Sequence, residues 1–111
     1  MSHSNREEKI EEVIRNAAAE FLQRESNRLS LITVTRVIMF DKLTKATVLM
    51  TVLPENRQDE AVEFAQRNRQ DFKEYLKGHT RLQRLPSVNF QIDFGEKNRQ
   101  RIDEISGSIS M

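Results

Sequence analysis

The sequence holds no cysteine, only three glycines and only two prolines in 111 residues. Without cysteine there is no disulfide, no thiolate chemistry and no Cys-based zinc site. The same absence fits a cytosolic protein. With so few glycines a phosphate-cradling loop is hard to build, and neither GxxxxGK[ST] nor GxGxxG occurs. No apolar run approaches the roughly 18 residues of a membrane-spanning helix. The opening string MSHSNREEKIEE lacks the apolar segment of a signal peptide, so no targeting sequence and no membrane contact are expected. The two histidines, His3 and His79, have no spacing that would share a metal. No serine or threonine sits in a nucleophile-elbow motif. Acidic pairs such as Glu7-Glu8, Glu11-Glu12 and Asp59-Glu60 read as helix-surface charge. Neither catalysis nor a cofactor is expected.

What is present is charge. Charged residues make up 32% of the chain and hydrophobic ones 37%. That balance suits a thin two-layer fold with much solvated surface. The length is that of one domain, and a chain of this size buries roughly two-thirds of its unfolded surface. We expect a single unit over residues 1–105, with 106–111 as a disordered Ser/Gly-rich tail. Net charge is only +1, yet its distribution is uneven. Residues 66–84 carry six basic side chains against two acidic, a net of +4, whereas 1–28 carry five against six, a net of −1.

Hydrophobic spacing predicts the elements. Ile10, Val13, Ile14, Ala17, Ala18, Phe21 and Leu22 form one helical face over residues 6–25. Ser4 or Asn5 is the expected cap, and the polar string at 25–30 the expected end. LITVTRVIMF, 31–40, and ATVLMTVL, 46–53, read as an antiparallel hairpin, with the Asp41 side chain initiating the turn and Pro54 closing the second strand. Residues 55–77 read as a second helix with Gly78 as its C-cap. Val88, Phe90, Ile92 and Phe94 alternate with polar residues over 87–94, which predicts a third strand. A weak helical turn is expected around Ile102 and Ile105. The order is α-β-β-α-β, an α+β fold with a three-stranded sheet and two helices on one face.

The second helix has a gap. Between Phe64-Ala65 and Phe72 lie six residues, 66–71, none of them apolar. An amphipathic helix does not skip its core that long. We therefore expect an interruption or kink near 66–71.

The order resembles the K-homology (KH) fold in its type II arrangement. Particular strings resemble the ribosome-binding factor A family of bacterial small-subunit maturation factors. They are Thr33-Val34-Thr35-Arg36-Val37, Asp41-Lys42-Leu43, Ala46-Thr47-Val48, Pro86-Ser87-Val88-Asn89-Phe90 followed by Asp93, and Arg101-Ile102. KIEEVI and LQRE match the first helix. The resemblance spans Arg6 to Ile105. Three departures are plain. The proline the family often has before the first strand is absent, and Asn27-Arg28-Leu29 stands in its place. The GXXG loop by which nucleic-acid-binding KH domains clamp about four nucleotides is absent. The Ala-x-Gly kink the family has in its place is also absent, and Asn68-Arg69-Gln70 stands at that position. A kink without glycine needs another cause, such as an inserted water or a bulged turn.

The resemblance implies a non-catalytic factor that binds the small (30S) ribosomal subunit near its neck and keeps immature particles out of translation. It implies a role in late 16S rRNA processing and folding near the 5′ end. The partners are the small subunit and its 16S rRNA, and the protein is expected to be a cytoplasmic monomer. Candidate RNA-contacting residues are Arg67, Arg69, Lys73, Lys77, Arg81 and Arg84, with Lys42 and Lys45 in the hairpin turn. Long cations suit phosphate contact. The plainer account of such a run is a solvated helix face, and of two turn lysines, solubility. The aromatics are expected in the core, least firmly Phe40 and Phe64. The alternative function is a KH-fold protein-interaction module without RNA affinity.

Overall fold

The computed structural model describes residues 5–25 and 30–95. The expected Ser4 cap, the turn at 26–29, the helical turn at Ile102 and Ile105 and the tail 106–111 lie outside the described residues. The elements are α1 (Asn5–Glu25), β1 (Leu31–Phe40), β2 (Lys45–Leu53), α2 (Gln58–Arg67), α3 (Arg69–His79) and β3 (Ser87–Ile92). A single 3-10 turn, Glu55–Arg57, leads from Pro54 into α2, and the Leu53–Pro54 peptide is cis. Asn5 is already helical, and Glu7 and Glu8 stand in the first turn, where the helix dipole favours anions.

The sheet order is β1-β2-β3. β1 and β2 pair antiparallel, and β3 runs parallel to β2 because two helices intervene. Strand alternation puts Val37, Met39, Ala46, Val48, Met50, Val88 and Phe90 on one buried face. Ile14, Ala17, Ala18, Phe21 and Leu22 of α1, Ala65 of α2, and Phe72 and Leu76 of α3 close over it. Phe72 sits at the centre. Its ring lies 5.3 Å from that of Phe21 and 5.7 Å from that of Phe90. Phe64 packs against this cluster, whereas Phe40 is 46% exposed on the uncovered face. Leu31, Ile38 and Leu53 share that face.

β1 carries a bulge between Val34 and Arg36, which leaves Thr35 without a partner in the register. The Thr35 hydroxyl instead donates to Asp93 Oδ2 at 2.6 Å, reaching over β2 to the end of β3. Asp93 also accepts the Gly95 N–H at 2.9 Å, and Gly95 turns at φ +79°. This knot ends the strand earlier than alternation predicts. β3 stops at Ile92, and Phe94 is exposed at 49% instead of entering the core.

Both outer strands have an edge N–H taken by a side chain. The Met39 N–H of β1 donates to Glu11 Oε2 at 3.3 Å. The Phe90 N–H of β3 donates to Gln66 Oε1 at 3.2 Å, while Gln66 Nε2 donates to Asn89 Oδ1 at 2.6 Å.

Two local expectations need correction. The hairpin turn is built on the Asp41 carbonyl, which accepts both the N–H and the hydroxyl of Thr44, and the Asp41 carboxylate pairs with Lys45 instead. Gly78 is not the C-cap: α3 runs through it to His79. The end is set by Thr80, whose extended backbone (φ −134°) leaves the helix while its hydroxyl donates to the Leu76 carbonyl at 2.6 Å. Gly78 is thus an exposed helix-interior glycine, and a β-carbon there meets nothing within 4 Å. Gly78→Ala should raise stability by about 0.5–1 kcal/mol, since it removes unfolded-state freedom at no steric cost. A urea midpoint that stays put or falls would refute this.

Candidate nucleic-acid interface

The interface begins at the break between α2 and α3. Asn68 takes φ −100°, ψ 16°, a sparsely populated but allowed region for any residue. Its N–H is shared between the carbonyls of Phe64 at 3.2 Å and Ala65 at 3.1 Å. Its side-chain amide donates to the Phe64 carbonyl at 2.8 Å, and Arg69 Nε donates to the Gln66 carbonyl at 3.0 Å. The Phe72 N–H then donates to the Asn68 carbonyl at 2.9 Å, opening α3. The backbone N–H of Asn68 thus serves two carbonyls, the Asn68 amide reinforces one of them, and the Arg69 side chain takes the Gln66 carbonyl, so no glycine is needed. The break falls on Asn68 alone; Arg69 and Gln70 already belong to α3.

The orientation of α3 follows from its neighbours. Tyr75 faces α1: its hydroxyl donates to Glu20 Oε2 at 2.8 Å, its ring packs on Phe21, and the Arg24 guanidinium lies 5.7 Å from the ring centroid. The hydrogen bond to the Glu20 carboxylate holds the Tyr75 hydroxyl above its usual pKa, because only the protonated phenol can donate it. The His79 ring stacks on Tyr75 at 3.9 Å. Helical positions advance by about 100° per residue, so Arg69, Lys73 and Lys77 form a row on the opposite flank, away from α1.

The other predicted cations divide into two groups. Arg67 pairs with Glu63 at 3.6 Å and Lys45 with Asp41 at 3.8 Å, all well exposed. Such surface pairs hold by at most about 1 kcal/mol and yield readily to a phosphate. Arg81, Arg84 and Lys42, by contrast, come together around a groove of about 1090 Å³. The groove lies between the first turns of α1, the hairpin turn and the loop joining α3 to β3. That loop is ordered at one end by the Thr80 hydroxyl, which accepts the Leu82 N–H at 3.4 Å. At the other end the Ser87 N–H donates to the Thr44 carbonyl at 2.9 Å. Arg6 and Lys9 complete the rim.

Among the described residues no acidic side chain lines this groove, and no carboxylate pairs with any of its five cations. Its floor is apolar, formed by Ile10, Leu43, Leu82 and Pro86. Two features of the rim are locally unfavourable. Asp41, Lys42 and Leu43 all have left-handed backbone, at φ 54°, 57° and 66°, which costs about 1–2 kcal/mol for each non-glycine residue. Arg6 sits in the first turn of α1, where the dipole disfavours cations.

Arg6 and Lys9 were not among the sequence candidates. They lie three residues apart on the helical row that also carries Ile10 and Val13, which is a readable signal. The six carboxylates of residues 1–28 mask it in any net charge taken over the segment. Among the described residues no group of His, Asp and Glu could hold a metal, and no helix is long and apolar enough to cross a membrane.

The family profile described as Ribosome-binding factor A matches residues 6–106. The chain belongs to the ribosome-binding factor A family. A ribosome-binding factor A from Christiangramia forsetii is 30% identical over 115 residues, covering 98% of this chain and 86% of that protein. The crystal structure of ribosome-binding factor A from Thermus thermophilus superposes with a TM-score of 0.69 over 78% of this chain and 94% of that one. At 22% identity that likeness is one of fold. A second similar structure is a homology model of Thermus thermophilus ribosome binding factor A, fitted into a cryo-EM map of a 30S complex. It has a TM-score of 0.62 at 25% identity, over 71% of this chain and 86% of that one. The fold is therefore the α-β-β-α-β arrangement the family strings imply, with the break in the second helix made without its Ala-x-Gly.

Asn68→Ala should remove one hydrogen bond from the break and cost about 1 kcal/mol of stability. Chemical denaturation checks it, and an unchanged midpoint would show that the backbone alone holds the break.

Proposed function

We infer that this protein binds the small ribosomal subunit as a non-catalytic maturation factor, through the α3 row and the basic groove. The observation that carries the reading is the groove rim. Three separate chain segments bring five cations together, with no carboxylate among the described lining residues, in a chain whose net charge is only +1. Surplus positive charge so gathered suits a polyanion held by its phosphates. Family membership and the relative fitted into a 30S map support the choice of partner. In this reading residues 1–105 act as one cytoplasmic, monomeric binding unit. They favour a late state of 16S rRNA processing and folding near its 5′ end by occupancy and conformational bias. Arg67, Arg69, Lys73, Lys77, Arg81, Arg84, Lys42 and Lys45 supply phosphate contacts, joined by Arg6 and Lys9.

A second reading, a protein-interaction module without RNA affinity, draws on the uncovered sheet face. Leu31, Ile38, Phe40 and Leu53 are all exposed there. Salt separates the two, because counterion release makes phosphate binding fall steeply with ionic strength while apolar docking does not.

The triple variant Arg69→Glu, Lys73→Glu, Lys77→Glu should lose co-sedimentation with purified small subunits while keeping its circular dichroism spectrum. Undiminished co-sedimentation of the folded variant, or wild-type binding indifferent to salt, would reject the proposed surface.

A further inference from the structure

We propose that the basic groove receives an unpaired stretch of RNA, with its phosphates on the cationic rim and a base or ribose against the apolar floor. The inference rests on the RNA-binding reading above and specifies which form of RNA the groove takes. Duplex RNA offers a protein phosphates, 2′-hydroxyls and base edges, with the base faces stacked out of reach. A surface meant for duplex needs cations but gains nothing from an apolar concavity. Here the floor is apolar, and Ile10, Leu43 and Leu82 stay only half-buried at the margin of the core. An extruded base would cover them.

The cations point the same way. Among the described lining residues none is aromatic, so within them a stacking surface comes from the arginines. Three of the five cations are arginines, Arg6, Arg81 and Arg84. A guanidinium plane can stack on an unpaired base while bonding phosphate, which a lysine ammonium cannot do. At about 1090 Å³ the groove stands at the upper end of the roughly 300–1,000 Å³ of small-molecule pockets, large enough for a nucleotide with its neighbouring phosphates. Finally, the left-handed turn that carries Lys42 and Leu43 supplies one rim cation and one floor residue together. Backbone strain concentrated at a single groove marks a place where shape is kept for a ligand.

The test measures fluorescence anisotropy at low salt with two probes of equal phosphate number, a short oligouridylate and a blunt A-form RNA duplex. The wild type should prefer the single strand by about tenfold, the order of one base stacked on a guanidinium. The triple variant Arg6→Lys, Arg81→Lys, Arg84→Lys keeps every charge, touches no buried residue and should bring the ratio of affinities toward one. Equal affinities in the wild type, no binding of the oligouridylate, or a ratio unmoved by the triple substitution would each overturn the proposal. Subunit co-sedimentation is read in parallel. Co-sedimentation without single-strand preference sinks this proposal alone. Single-strand preference without co-sedimentation sinks the ribosomal reading alone.

Discussion

The contact of Phe72 with Phe21 and Phe90 fixes the second helical layer. One ring ties α3 to α1 on one side and to the sheet on the other. Aromatic pairs add about 0.5–1.5 kcal/mol each beyond the area they bury, and they have preferred geometries. They therefore set the rotation of α3 as well as its position. With Phe72 and Leu76 turned inward and Tyr75 held by Glu20, the row Arg69, Lys73, Lys77 has only the outward flank left to it. The helix then ends where Thr80 can direct Arg81 and Arg84 back beside the hairpin turn. The placement of the cations is a consequence of packing the core.

The same logic accounts for the break at Asn68. Val62 and Ala65 feed the core from α2, and Phe72 and Leu76 feed it from α3. In an uninterrupted helix Ala65 and Phe72, seven residues apart, would share one face to within about 20°, and the polar Asn68 and Arg69 would fall on that same side between them. A glycine would permit the break by removing a side chain. Asparagine achieves it by adding one, since its amide takes the Phe64 carbonyl. Gln66, just before the break, also anchors α2 to the edge of β3. The elbow is thus clamped from two sides, which leaves less freedom than a glycine would.

Much of the fold was legible because the family strings contain core residues at strand spacing. Pro86, Val88, Phe90, Ala46 and Val48 are all buried, and Thr35 meets Asp93 across 58 positions of chain. Spacing of apolar residues survives in one dimension, so a reader of the sequence can follow it. The errors came where a polar side chain overrode the pattern, as at Phe94, whose strand Asp93 ends, and at Gly78, displaced as a cap by Thr80. The groove was only partly legible. Lys42, Arg81 and Arg84 stood out as cations, but nothing in their spacing says that they meet. Arg6 and Lys9 vanished into an acid-rich helix. A site assembled from three distant segments has no period to betray it.

The side chains that occupy the strand edges carry a consequence of their own. A three-stranded sheet has as many open borders as a large one and far less interior to protect them. Glu11 on one border and Gln66 on the other each occupy an amide that would otherwise invite a foreign strand. Neither contact need be strong to be effective. An incoming chain must first displace a tethered side chain before it gains its first ladder bond, and that raises the threshold for self-association. The two edges are in this way guarded by single side chains, without surface being given over to extra helices.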